Sequence, residues 1–307
     1  MIICTSGNYQ SQTPTVVALG CFDGVHRGHA AVISEARRRA DELHVACAVW
    51  TFAAPPKNYF VPGSTPLLSD PTEKQAAVER LGADLFLCVP FDERIASLSP
   101  ADFIGTLICK QLRARHLVCG FNFTFGAGGA GNTDTLRNLC REHGVGLTVV
   151  EPVMEGGEPV SSSRIRALIT EGDVALAEKL LGRPYSLLAP VVQGQHLARR
   201  LGFPTANQLF PAGYAVPRYG VYVSRAEWNG KAAYGITNIG IRPTVEGHQL
   251  CAETHIFDEQ ADLYGKEVRT SLLHFIRPET RFPSVEELSR QVHSDIRTAR
   301  DYVKENR

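Results

Sequence analysis

Apolar residues follow two different rhythms along this chain, and the change of rhythm divides it. In the first half, short continuous apolar runs alternate with stretches of helical spacing. Thr15-Val-Val-Ala-Leu-Gly20 reads as a buried strand. Ala30 to Leu43 carries Val32, Ala36, Ala40 and Leu43 close to helical spacing. Val45–Trp50, Leu85–Val89, His116–Gly120 and Gly146–Val150 read as four further strands. Asp70-Pro71-Thr72-Glu73 supplies a helix cap, a proline at the first helical position and an acid in the first turn. Ser99-Pro100-Ala101-Asp102 repeats that logic. Strand, helix, strand at this rhythm predicts a Rossmann-like parallel sheet with helices on both faces.

A short helix over Asp173–Leu181 is capped by Asp173 and stopped by Gly182, with Pro184 just beyond. After it only short strand-like runs recur: Ser186–Val192, Gly220–Arg225, Lys231–Asn238, Glu253–Phe257 and Val268–Phe275. Turn signals such as Asn229-Gly230 separate them, which predicts an antiparallel barrel or sandwich. Ser284–Tyr302 closes the chain as a helix. Ser284 and Glu287 can form a capping box, and Val285, Leu288, Val292, Ile296 and Ala299 make an apolar stripe. These patterns predict two domains, residues 1–183 and 184–307.

Composition narrows the class. The 307 residues are 44% hydrophobic and 21% charged, with 32 basic and 32 acidic side chains, so the formal net charge is zero. No global field attracts a polyanion, so neither nucleic acid nor a membrane is expected as a partner, and any anion is held locally. The eight cysteines include no CxxC pair, and several lie within apolar runs. They read as buried free thiols, which suits a reducing cytoplasm. The N-terminus shows no signal-peptide pattern, and the longest apolar stretch, Val45–Ala54, is too short for a membrane span.

Gly20-Cys21-Phe22-Asp23-Gly24-Val25-His26-Arg27-Gly28-His29 stands between the first strand and the first helix. A doubly wound sheet presents backbone N–H groups and a positive helix end to phosphate at that place. Gly24 and Gly28 leave room for close approach. His26 and His29 can donate to phosphate oxygens while an α-phosphorus is attacked and pyrophosphate leaves. The plainer reading is a glycine-rich turn with two surface histidines. Val160-Ser161-Ser162-Ser163-Arg164-Ile165-Arg166 adds hydroxyls and arginine forks suited to a triphosphate, although alone it would be an ordinary serine-capped helix.

In the second half, Gly194-Gln195-His196-Leu197-Ala198-Arg199-Arg200-Leu201-Gly202-Phe203-Pro204-Thr205-Ala206-Asn207 is the densest motif. Gly194 and Gly202 allow a loop to fold closely over phosphates. Thr205 and Asn207 offer hard oxygen ligands that suit Mg²⁺ beside substrate phosphates. Glu253 lies among apolar neighbours, where a carboxylate is costly unless paired or functional. As a general base it could take the proton of a primary alcohol attacking a γ-phosphate. The alternatives are a punctuated turn and an edge-strand glutamate facing water.

These pieces together resemble the bacterial bifunctional riboflavin kinase/FAD synthetases. The adenylyltransferase half is matched by GCFDGVHRGH, PFDERIASLSPADFI, VCGFNFTFGAGGAGN and VSSSRIRALITEGDVALAEKLLGRPY. The kinase half is matched by GFPTAN, NIGIRPT, CAETHIFD, LYGK and FIRPE. The resemblance implies an N-terminal nucleotidyltransferase domain and a C-terminal Greek-key barrel with a terminal helix. It implies phosphorylation of riboflavin to FMN, adenylylation of FMN to FAD, ATP as co-substrate and Mg²⁺. His26 and His29 would contact ATP phosphates. Gly20, Phe22, Asp23, Gly24, Gly28, Ser162, Arg164 and Arg166 would surround the nucleotide. Asn122 and Phe125 would line the flavin or adenine pocket. In the kinase half Gly194, Arg199, Gly202, Thr205 and Asn207 would hold the nucleotide, Thr205 and Asn207 the Mg²⁺, and Arg242 the flavin, with Glu253 as base. The family usually reads Thr-Phe-Asp-Pro-His-Pro where this chain has Thr51-Phe52-Ala53-Ala54-Pro55-Pro56, so an acid and an imidazole are missing. That departure leaves a second expectation open: a riboflavin kinase whose adenylyltransferase half is weakened or inactive.

Overall fold

The computed structural model describes residues 1–194, 201–244, 247–259 and 261–306. The chain forms two compact units, Met1–Ser162 and Ser163–Arg307. The first is built on a six-stranded, all-parallel sheet. Its strands are β1 (Ile2–Cys4), β2 (Thr15–Leu19), β3 (Ala46–Phe52), β4 (Leu85–Val89), β5 (Ala114–Gly120) and β6 (Gly146–Val150), in the order β1-β4-β3-β2-β5-β6. All five residues of β2 are buried. Val17 and Leu19 enter one hydrophobic core, Val16 and Ala18 the other, which is why the strand reads as an unbroken apolar run. The caps fall where the sequence places them. Asp70 accepts from the Glu73 amide and Ser99 from the Asp102 amide. Strand β1 escapes the pattern because it is three residues long and leaves Ile2 and Ile3 exposed at the sheet edge.

A two-stranded hairpin, β7 (Met154–Glu155) and β8 (Glu158–Pro159), completes the first unit. The second unit carries a closed barrel of β9 (Tyr185–Val192), β10 (Ala206–Leu209), β11 (Gly220–Trp228), β12 (Lys231–Thr244), β13 (Gly247–Ile256) and β14 (Glu267–Pro278). Strands β11, β12 and β13 pair in succession, and β14 returns beside β11, the Greek-key order. Asn229 and Gly230 both take positive φ in the two-residue turn that joins β11 to β12. Strand β10 has little sequence signal, because Pro204 and Asn207 read as turn residues and Gln208 is polar. Gln208 is nonetheless fully buried, because all of its amide is used. Its Nε2 donates to the carbonyls of Ala189 (2.8 Å) and Val268 (2.6 Å), and its Oε1 accepts from Thr270 Oγ1 (2.6 Å). Thr237 Oγ1 similarly meets Ser224 Oγ at 2.7 Å and Thr254 Oγ1 at 2.9 Å, all three buried. A short helix, Val174–Leu181, precedes the barrel, with Asp173 as its cap and Gly182 left-handed at its end.

The terminal helix, Val285–Asn306, packs its apolar stripe on Val221, Val223, Ile236 and Leu273. Ser284 Oγ accepts from the Glu287 amide at its start. Asp295, 2% exposed, accepts from Arg277 Nε and Nη2 and from Gln291 Nε2, which ties this helix to β14.

Two predictions follow from this packing. Asp295→Ala strands the Arg277 guanidinium and is expected to destabilise the second unit by about 3 kcal/mol, the scale of a broken buried pair. Urea unfolding followed by Trp228 fluorescence in a Trp50→Phe background measures it, and a loss under about 1 kcal/mol contradicts it. All eight cysteines are free. Burial pushes the thiols of Cys47 and Cys119 up to about 12, and those of Cys140 and Cys251 up to about 11. An unfolded thiol ionises near ~8.5, so the unfolded chain loses these protons first. Their contribution is therefore complete at neutral pH and lost as pH rises from about 9 towards 12. Cys119→Ala is expected to flatten the alkaline fall in unfolding free energy by about 1.4 kcal/mol per pH unit. An unchanged slope contradicts this.

Candidate active sites

The turn after β2 leads into the helix Arg27–Leu43. His26 caps that helix: its Nδ1 accepts from the His29 amide at 3.2 Å. An accepting Nδ1 puts the proton of a neutral ring on Nε2. The His26 and His29 rings stack at 3.5 Å and 16°, and Phe22 meets His29 edge-on at 5.3 Å. Gly28 suits this stack: a Cβ there would lie 3.1 Å from the His26 ring, close enough that the ring would have to give by a few tenths of an ångström. Phe22, Gly24 and Val25 all take positive φ, an unfavourable backbone for the two non-glycines.

Side chains from behind hold this strained turn. The Cys21 carbonyl accepts from Thr51 Oγ1 (2.7 Å) and from Lys74 Nζ (3.3 Å). Lys74 Nζ also donates to the Phe52 carbonyl at 2.8 Å, and the residue is 1% exposed. Asp23, equally buried, accepts from the Leu68 amide, and the Gly24 amide donates to Ser69 Oγ. Ser162 Oγ donates to the Asp23 carbonyl at 3.0 Å, so one serine of the second motif touches the histidine turn directly. Gly20 leaves space for the Phe22 ring. Arg164 and Arg166 lie on the helix Ser162–Glu171, in the second unit.

The neighbour of β2 across the reversal of strand order is β5, so the crevice at their carboxyl ends is where such sheets take ligands. Asn122 stands there, exposed, just beyond β5. Phe125 is instead a core residue, 6% exposed, stacked on Phe123 at 5.5 Å and packed against Phe103. Sequence reasoning missed Lys74 and an aromatic group at the same sheet edge. Phe52 ends β3 and Phe91 follows β4, and their rings meet at 5.0 Å. Tyr59 and Phe60, 45% and 64% exposed, both lean on Phe91. The signal available was Asn58-Tyr59-Phe60-Val61, an apolar cluster in a segment with no period of its own.

In the barrel, Asn207 pairs with Glu253 across β10 and β13, and Glu253 pairs with Asn238 across β13 and β12. The three side chains therefore form a row on one face, opposite the buried Thr237 and Thr254. They line a cavity of about 950 Å³ together with Thr205 and Arg242. Arg242 Nε donates to Glu253 Oε1, so the candidate base is ion-paired. Gly194 permits this crowding: a Cβ there would lie 2.3 Å from Asn207 Nδ2 and 3.2 Å from Arg242 Nη1. Gly202 is left-handed at φ 91° with open space around it. Arg199 lies outside the described residues. Sequence reasoning quoted Asn238 without a role; its place in the row is visible only from register.

Asn207 is 4% exposed, and its Oδ1 has no hydrogen-bond partner among the described residues. A buried carbonyl oxygen left unsatisfied costs about 1–3 kcal/mol. A hard cation is a fitting partner for it, beside the Thr205 hydroxyl. The residues present thus fit Mg²⁺.

No helix among the described residues is long and apolar enough to cross a membrane. A family model described as FAD synthetase matches residues 8–164, and one described as riboflavin kinase matches residues 181–303. The chain is 38% identical over 298 residues to the bifunctional riboflavin kinase/FMN adenylyltransferase of Escherichia coli K12, covering 95% of each chain. It is 37% identical over 298 residues to the Bacillus subtilis protein of the same name, covering 95% of this chain and 94% of that one. A crystal structure from Streptococcus pneumoniae, described as a macrolide-efflux protein, superposes with a TM-score of 0.90 at 31% identity, over 98% of this chain and 99% of that one. Two modules matched in one chain, and relatives aligned almost end to end, make this protein a member of the bifunctional riboflavin kinase/FMN adenylyltransferase family.

Proposed function

We propose that the chain phosphorylates riboflavin to FMN at the barrel site and adenylylates FMN to FAD at the histidine turn, with ATP as donor in both steps. The observation that carries the kinase reading is the row Asn207–Glu253–Asn238 in one cavity, with an Asn207 oxygen that has no partner among the described residues beside the candidate base. Glu253 takes the proton of the ribityl primary hydroxyl as that oxygen attacks the γ-phosphorus and ADP leaves. Thr205 and Asn207 hold Mg²⁺, which when bound neutralises charge on the nucleotide phosphates. Arg242, already on Glu253, supplies a fork of donors at the cavity where the flavin enters.

At the histidine turn the nucleophile is a phosphate oxygen of FMN, which is anionic already and needs no base. The Nε2–H of His26 and the ring of His29 stabilise charge at the α-phosphate while pyrophosphate leaves. Gly20, Phe22, Asp23, Gly24 and Gly28 shape the turn, and Ser162, Arg164 and Arg166 serve the phosphates. The exposed rings of Tyr59 and Phe60 beside Phe91 offer a face for the flavin at the same sheet edge, with Asn122 as a polar contact. Phe125 supports that edge from the core. The functional domains are residues 1–183 and 184–307, and the enzyme works in the cytoplasm without nucleic acid or membrane partners.

Glu253→Gln is expected to lower FMN formation at least ~10²-fold while FAD formation from supplied FMN persists. His29→Ala is expected to lower FAD formation about 10²-fold and to leave FMN formation intact. Chromatography of separate riboflavin-fed and FMN-fed reactions reads both. Parental FMN formation by Glu253→Gln sinks the assignment of the base. Equal loss of both activities in His29→Ala sinks the assignment of separate sites. Pyrophosphate release from FMN and ATP separates the bifunctional enzyme from a kinase with an inert first half.

A further inference from the structure

His255 stands two residues beyond Glu253 on β13 and therefore on the same face of the barrel. Its Nδ1 lies 3.0 Å from the carbonyl oxygen of Pro204. A carbonyl oxygen can only accept, so Nδ1 carries a proton in this contact. Pro204 immediately precedes Thr205, and Asn207 follows two residues later. Strand β10 begins only at Ala206, so neither Pro204 nor Thr205 is held by the ladder. Pro204 also has no N–H with which to join one. The imidazole is a polar contact that ties this stretch to the strand bearing the candidate base. Ring contacts reinforce the tie. Phe203, 6% exposed, meets His255 edge-on at 6.4 Å and His293 of the terminal helix at 6.0 Å, while Phe257 meets His255 at 6.0 Å.

We propose that His255 is a positioning residue for phosphoryl transfer: its Nδ1–H fixes the Pro204 carbonyl and so aims Thr205 and Asn207 at the metal-bound nucleotide, in step with Glu253. The inference rests on the reading of Thr205 and Asn207 as metal and phosphate ligands. One strand then sets both halves of the site, since Glu253 and His255 cannot move independently along β13. The metal-side oxygens and the base keep their spacing because Asn207 pairs with Glu253 across β10 and β13 and Pro204 is tied to His255 on that same strand.

The test uses the full chain carrying His255→Ala, His255→Asn, His255→Gln or Thr205→Val. The amide nitrogen of asparagine occupies roughly the place of Nδ1 and can keep the bond; that of glutamine reaches the place of Nε2 and cannot. Three quantities are read: the Mg²⁺ concentration that half-saturates riboflavin phosphorylation, the binding of Mn²⁺ by electron paramagnetic resonance with ADP and riboflavin present, and FMN adenylylation. His255→Ala is expected to raise the Mg²⁺ requirement and weaken Mn²⁺ binding at this site by about tenfold or more, the scale of lost support behind a metal ligand. Adenylylation should stay within about twofold, because that site lies in other elements. His255→Asn should recover most of the loss and His255→Gln little of it. If His255→Ala does not accumulate folded, the asparagine and glutamine variants carry the comparison by themselves. An unchanged Mg²⁺ requirement in His255→Ala, with a raised one in Thr205→Val, overturns the tether. An unchanged requirement in Thr205→Val overturns the ligand reading beneath it. Equal behaviour of the asparagine and glutamine variants also overturns the tether.

Discussion

The register of three antiparallel strands is the constraint on which the barrel site depends. Asn207, Glu253 and Asn238 come from β10, β13 and β12, and they meet only because those strands pair as they do. A slip of one residue would turn the whole row to the other face. The side chains on that other face prevent it. Thr237 bonds Ser224 and Thr254 at the level adjoining the row, and Gln208, next to Asn207, bonds two carbonyls and Thr270. Each of these groups would be left buried and unsatisfied after a slip, at about 1–3 kcal/mol apiece. The buried polar network thus fixes where the chemistry on the opposite face can stand.

The histidine turn meets a different constraint. It lies between β2 and the helix Arg27–Leu43, outside the ladder, and side chains from elsewhere in the chain reach its carbonyls. Thr51 and Lys74 bind the Cys21 carbonyl, and Ser162 binds that of Asp23. These bonds, with the Gly24 amide on Ser69 Oγ and the His29 amide on His26 Nδ1, maintain the positive φ of Phe22, Gly24 and Val25. Lys74 brings a cation under the turn, where it donates to the carbonyls of Cys21 and Phe52.

Much of this was legible in the sequence, for physical reasons that differ by element. Strand β2 reads cleanly because both its faces are buried, and the helix at Pro71 reads cleanly because Asp70 and Pro71 act within one turn. The turn that carries the histidines was legible because its glycines interrupt the chain between the apolar run of β2 and the helical spacing that follows. Strand β10 was hidden because its burial rests on satisfied polar groups rather than apolar ones. Phe125 was expected in a ligand pocket, yet its ring is taken up by Phe123 and Phe103. Asn238, Lys74 and His255 take their places through strand register or contacts of long sequence separation, which no local pattern encodes.

Both sites handle the phosphate chain of the same nucleotide, one at its γ-phosphorus and one at its α-phosphorus, and the product of one is the acceptor of the other. The most direct measurement is therefore the product series formed from riboflavin, ATP and Mg²⁺ by the unmodified protein, followed by chromatography over time. The account requires FMN to appear first and FAD to follow at its expense, with ADP accumulating before pyrophosphate. Failure to consume riboflavin, or FMN that accumulates without any FAD, would contradict it.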